Sequence, residues 1–312
     1  MDKNLTATLP IQLPLSGWDA RPVSNRPWLP PVVEASEVRH IPGVVVCDVR
    51  WYLDGRSGRN AYDGGHLPGA VFVDLDEHLT ATSGPAVGRH PLPTPEAFAR
   101  SMGVLGIGPD DPVVAYDDAG GMVAGRLVWM LRTLERPAAL LDGGIGCWNG
   151  SLETAPTVRS PVVMSGEVPA EPWPVGALAT IDEVSGVAAT NRVDGIVLDA
   201  RDGDRYRGET EPIDPRAGHV PGARNAPFAG NLESDGPRAG RFLEPGALAD
   251  RYRNLGVVDA ADVVAYCGSG VSACHDLLAM EYAGLGRGRL FVGSWSQWSA
   301  SDHPIATGGE AG

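Results

Sequence analysis

An α/β fold in two tandem domains, each a mainly parallel sheet flanked by helices, follows from three observations on this 312-residue sequence. The chain repeats itself once. Short continuous apolar runs alternate with segments of helical period. A proline-rich stretch separates the two copies.

The repeat is read from four pairs of segments. VCDVR (Val46–Arg50) answers VLDAR (Val197–Arg201), and GHLPGA (Gly65–Ala70) answers GHVPGA (Gly218–Ala223). VVAYD (Val113–Asp117) answers VVAYC (Val263–Cys267), and LDGGIGCW ending at Trp148 answers FVGSWSQW ending at Trp298. The offsets are 151, 153, 150 and 150 residues, in the same order. Copies of this size can each bury a core, which separates the chain from a solenoid.

The elements follow in chain order. Residues 1–30 are proline-rich, lack a counterpart in the second half and read as an arm. Residues 31–152 form the first domain, 153–174 a linker holding five prolines, and 175–312 the second domain. Val44–Val46 and Ile196–Leu198 are β-branched runs that end in Asp-x-Arg. Val113–Tyr116 and Val263–Tyr266 are apolar throughout, as strands buried on both faces of a parallel sheet are. Cys274, Leu277, Leu278 and Tyr282 recur at helical spacing, and Gly284 supplies a stop.

The formal charge is −14 and the pI about 4.9, which argues against nucleic acid or an acidic membrane surface as partner. No apolar run approaches the ~20 residues of a spanning helix. The N-terminus lacks a basic region followed by an apolar one, so the expected location is cytoplasmic. Four cysteines without a CxxC pair or zinc-like spacing predict neither a disulfide scaffold nor a metal site.

Cys267 carries the chemistry. It stands where a strand ends, before Gly268-Ser269-Gly270-Val271-Ser272 and a helix. Sites in open parallel sheets form at strand carboxyl ends. A glycine-rich loop aims backbone N–H groups inward, and a helix N-terminus adds partial positive charge. The expectation is an exposed thiol, activated as a nucleophile, with Ser269 and Ser272 as further donors. The first copy has Asp117 at this position, so the fold does not require the thiol. Cys47 and Cys274 read as core, and Cys147 aligns with Gln297. A cysteine phosphatase would need arginine six residues after the nucleophile, where Ala273 stands. A thiol protease would need a base that no motif places. Sulfur transfer is the third candidate chemistry, in which a cradle of Gly268, Gly270, Val271 and Ser272 holds an anionic persulfide and no arginine inside the loop is required.

At these residues the chain resembles the two-domain rhodanese-type sulfurtransferases, over about Pro30 to Ala306. The resemblance rests on the paired D-x-R and GH-[LV]-PGA segments and on an Asp-bearing first copy ahead of a Cys-bearing second. It implies Cys267 as persulfide carrier and no cofactor. CGSGVSA is similar to the CGSGVTA loop of the 3-mercaptopyruvate branch, with Ser272 in place of Thr, rather than to the CRKGVTA loop of thiosulfate users. The resemblance further implies Arg205, within DARDGDRYRGETEP, and Arg216 as ligands of a small anionic donor. It implies a relay of Ser269 with His66 and Asp63. The implied acceptors are a thiol, cyanide or a thioredoxin-like protein. Thiosulfate as donor, and a persulfide carrier serving a protein partner, stand as alternatives.

Overall fold

The computed structural model describes residues 28–162, 170–189 and 195–310. Most of the expected arm and residues 163–169 of the expected linker therefore lie outside the described residues.

Each half builds one five-stranded, all-parallel sheet. The first holds β1 (Val32–Val33), β2 (Val45–Asp48), β3 (Val71–Phe72), β4 (Val113–Tyr116) and β5 (Ala138–Leu141), in the order β1-β5-β4-β2-β3. The second holds β6 (Leu178–Ala179), β7 (Ile196–Asp199), β8 (Arg224–Asn225), β9 (Val263–Tyr266) and β10 (Arg289–Phe291), in the matching order β6-β10-β9-β7-β8. The central pairs share one register: Asp48 stands beside Tyr116, and Asp199 beside Tyr266. Both central strands, β4 and β9, are buried along their length, which is why their sequences are apolar without alternation.

The four longest helices among the described residues are α1 (Pro95–Val104), α2 (Ala124–Thr133), α3 (Pro245–Asn254) and α4 (Ser272–Tyr282). Thr94 caps α1 by accepting from the Ala97 N–H, with proline just inside. Gly284, at φ +75°, follows the end of α4 in the left-handed region that glycine tolerates. Helices α2 and α4 each follow a central strand and pack against each other across the domain boundary. Every residue of α2 is buried. The largest apolar cluster consequently runs through both domains, joining Leu127 and Leu131 to Leu277 and Leu278.

The repeated motifs are structural. In each domain the D-x-R pair closes a buried ion pair of 2.6 Å, Asp48 with Arg50 and Asp199 with Arg201. The same guanidiniums donate to the carbonyls of Gly65 and Gly218, both at 2.7 Å. His66 and His219 stack on Tyr62 and Tyr206, and the Nδ1 of each lies 2.8 Å from its tyrosine's carbonyl oxygen. Glu153 pairs with His66 through both backbone groups, and Val162 N–H donates to the Gly103 carbonyl. The start of the proline-rich segment thus lies along the first domain.

Candidate active site

Cys267 follows β9 directly. The loop turns at Gly270, whose φ of +78° only glycine adopts without strain, and Val271 caps α4, which Ser272 begins. A side-chain carbon on Gly270 would lie 2.5 Å from the Val292 carbonyl oxygen, so the loop sits hard against the end of β10. Gly270 N–H donates to the Cys267 Sγ at 3.1 Å. Cys267 N–H donates to the Ser294 hydroxyl, and the Cys267 and Gly268 carbonyls accept from Trp295 and Ser296. The thiol was expected to be exposed. It is only 2% exposed, and His90 and Arg126 of the first domain meet its loop at Ser269 and Gly270.

Cys274 and Cys47 are core residues, and burial pushes both thiols up to about 12. Cys274 donates to the Gly270 carbonyl. Cys147 is half-buried beside the Arg241 guanidinium.

The first domain shows what such a loop binds. The Asp117 carboxylate accepts from the backbone N–H groups of Ala119, Gly121, Val123 and Ala124, at 2.8–2.9 Å. Burial raises this carboxyl, and the four donors oppose the shift. The loop after a central strand therefore holds an anion in a nest of peptide groups.

The relay expected from His66 and Asp63 is not formed. His66 is committed to the Tyr62 carbonyl in the first domain's turn, and Asp63 pairs with Arg59 on the surface. A different histidine meets the loop serine. His90 Nδ1 lies 2.7 Å from the Ser269 Oγ, and its Nε2 lies 3.5 Å from the Asp76 Oδ1. The Trp51 indole N–H donates to the other Asp76 oxygen at 2.8 Å, and the Trp51 ring stands edge-on to His90 at 5.4 Å. With the hydroxyl donating to Nδ1, Nε2 carries the ring's proton toward Asp76. Burial pushes the His90 imidazole down to about 4, so the ring is a neutral base near pH 7.

Arg126, in α2 and fully buried, ties this relay to the thiol loop. One Nη donates to the Gly270 carbonyl and the other to the His90 carbonyl, both at 2.9 Å.

Arg205, which the resemblance offers as a donor ligand, lies at the loop. A side-chain carbon on Gly268 would stand 3.5 Å from its Nη1. Arg216 does not lie at the loop. Its guanidinium is spent on the carbonyls of Trp298, Ser299, Ser301 and His303, closing the turn after the helix Ser294–Trp298. The second arginine at the loop is Arg89, from the first domain, whose Nη2 would stand 3.0 Å from that same carbon. Arg89 pairs with Asp214, which also accepts from Arg205 at 3.2 Å.

His90 and Arg89 have a signal in the sequence that motif reading passes over. Gly88-Arg89-His90 answers Gly240-Arg241-Phe242 at an offset of 152 residues. Each segment crosses to the other domain. Arg89 N–H donates to the Ser296 hydroxyl, and Phe242 N–H to the Asp142 carboxylate. His90 therefore stands to Phe242 as Cys267 stands to Asp117, with the side chain changed between the two copies at each matched position.

Two parallel-sheet domains and a peptide-lined cysteine loop at their seam define a thiol-dependent group-transfer protein. Both halves match the model of the rhodanese-like domain, at residues 32–151 and 180–301, and the chain belongs to that family. It is 41% identical over 273 residues to a Pseudomonas aeruginosa protein named "Probable 3-mercaptopyruvate sulfurtransferase", covering 86% of this chain and 93% of that one. It is 38% identical over 273 residues to "Putative thiosulfate sulfurtransferase SseB" of Mycobacterium tuberculosis, covering 85% and 91%. Among solved structures, the 3-mercaptopyruvate enzyme SseA of Escherichia coli superposes with a TM-score of 0.71 at 29% identity, over 86% of this chain and 99% of that one.

Proposed function

We propose that this chain is a sulfurtransferase that takes sulfur from 3-mercaptopyruvate onto Cys267 and passes it to a thiol or cyanide. The Cys267 thiolate attacks the donor's sulfur. The S–S bond forms, the C–S bond breaks, and its electron pair leaves on carbon as the enolate of pyruvate. The donor's thiol proton ends on that carbon, giving pyruvate and a cysteine persulfide anion, so charge and atoms balance. Ser269 and His90 form the route for the proton. Arg205 binds the carboxylate.

The Ser269–His90 contact of 2.7 Å carries the choice of donor. Thiosulfate leaves as sulfite and needs no proton moved to carbon, so a serine–imidazole relay is idle with that donor. The persulfide itself is supported by Asp117. From the backbone outward, Cβ–Cγ–Oδ of aspartate and Cβ–Sγ–Sδ of a persulfide place their charged atom the same number of bonds away. The first loop's four N–H donors thus serve an anion of that reach. Gly268, Val271 and Ser272 complete the corresponding loop around Cys267. A thioredoxin-like protein is the proposed physiological thiol. A cytoplasmic location accords with its need for reduced thiols, and no helix among the described residues is long and apolar enough to cross a membrane.

Intact mass after incubation with 3-mercaptopyruvate tests the intermediate. A gain of one sulfur, absent in Cys267→Ser, is expected, and labelling that persists in that variant overturns the site. Parallel turnover of the two donors tests specificity, and faster turnover of thiosulfate overturns the choice of mercaptopyruvate.

A further inference from the structure

Three cations and three carboxylates form a continuous chain beside the thiol loop. Asp199 pairs with Arg201, Arg201 with Glu211, Glu211 with Arg205, Arg205 with Asp214, and Asp214 with Arg89. The formal charges cancel. Asp214 links the two arginines nearest the loop, with its side chain 3% exposed, and its backbone N–H donates to Glu211 at 3.0 Å. It is built into the wall rather than waving in solvent. Arg89 and Arg205 both reach Gly268, next to Cys267. Each keeps a buried Nε–H without a partner, so each retains donor capacity after pairing with Asp214.

We propose that Asp214 sets the charge of the sulfur donor, and that Arg89 of the first domain is the second donor-binding arginine, in the place expected of Arg216. Asp214 occupies both guanidiniums, and together with Glu211 it leaves this wall formally neutral. A neutral wall with free N–H groups accepts a donor of one negative charge, such as an α-keto carboxylate. A dianion such as thiosulfate brings a second charge that nothing in the wall offsets, and it meets the Asp214 carboxylate at short range. Donor choice thus arises from one carboxylate shared across the domain boundary as well as from the uncharged Gly268-Ser269. The inference rests on the sulfurtransferase reading above.

The test is Asp214→Asn, assayed with 3-mercaptopyruvate and with thiosulfate at one ionic strength. The expected result is a shift of the kcat/KM ratio toward thiosulfate by about tenfold or more. A ratio unchanged within about twofold, in a variant that melts as the wild type does, overturns the proposal. Arg89→Gln is the second variant, and it decides the matter if the first does not fold. It should raise KM for 3-mercaptopyruvate by about tenfold with kcat held within a few-fold. An unchanged KM removes Arg89 from the donor site. Preference of the wild-type protein for thiosulfate would sink the proposed donor while leaving the direction of the Asp214→Asn shift as a separate reading.

Discussion

His90 and Ser269 belong to different domains, yet the imidazole Nδ1 and the serine Oγ are 2.7 Å apart. The second domain contributes Cys267, its loop and Ser269, and the first contributes His90, Asp76 and Arg89. Neither half contains the proposed site by itself. Contact between α2 and α4, and the Arg126 cross-link, keep the two contributions in register.

The relay should matter for one donor only. His90→Gln is expected to lower kcat with 3-mercaptopyruvate by about 10²-fold or more, the range of a lost acid–base group. Turnover of thiosulfate should change only a few-fold. Equal losses with both donors would show that His90 supports the loop rather than moving a proton.

Gly270 tests the geometry of the cradle. An added methyl meets the Val292 carbonyl oxygen at 2.5 Å, and φ stands at +78°. Gly270→Ala should cost about 1–3 kcal/mol of stability from backbone strain and abolish persulfide formation, because the N–H that reaches Cys267 moves with it. Chemical denaturation and the mass assay read the two effects. A stable variant that still forms the persulfide would contradict the assigned cradle.

Arg126 tests the seam. Arg126→Met leaves the Gly270 and His90 carbonyls without their guanidinium donor in a buried site. Each unpaired group costs about 1–3 kcal/mol, so a clear drop in the urea midpoint is expected. Activity with 3-mercaptopyruvate should fall further than stability alone explains, since relay and loop lose their common anchor. A midpoint unchanged from wild type would refute the cross-link.

Stability should depend on pH through three buried groups with opposing signs. Burial pushes His90 and His275 down from 6.5 to about 4, so between these values the unfolded chain binds protons that the folded chain does not. Their contribution is complete above 6.5 and is lost as pH falls toward 4. Burial pushes Asp276 up from 3.8 to about 7, so its contribution is complete below 3.8 and is lost as pH rises through 7. Asn231 donates to Asp276 at 2.7 Å, while the other carboxyl oxygen has no partner, which fits the protonated form. Asp276→Asn removes the one opposing contribution and should therefore steepen the net rise in Tm with pH between 3.8 and about 7. An identical slope in wild type and variant would disprove the assignment.

The duplication, the parallel sheets and the thiol loop were legible because each is written in contiguous residues. Strand, glycine turn and helix around Cys267 occupy one segment, and the second copy supplies an internal comparison. The relay is not legible in this way because it is not local. His66 stands in a conspicuous motif, but the motif serves its own turn, where Tyr62 and Glu153 hold it. His90 stands in a segment whose purpose appears only when the other domain is beside it. Arg216 failed for a related reason: a motif arginine near the correct place was drawn to four carbonyls at the end of a helix. The burial of Cys267 is not written in its own segment either, since residues of the other domain meet the loop.

The Asp117 carboxylate, saturated by four peptide N–H groups, has a consequence for stoichiometry. The first cradle is loaded by the genetic code and cannot be emptied or exchanged. A protein with two such loops should therefore titrate as a one-site molecule: one sulfur per chain, one equivalent of cyanide to discharge it, and no second, weaker anion site to complicate inhibition.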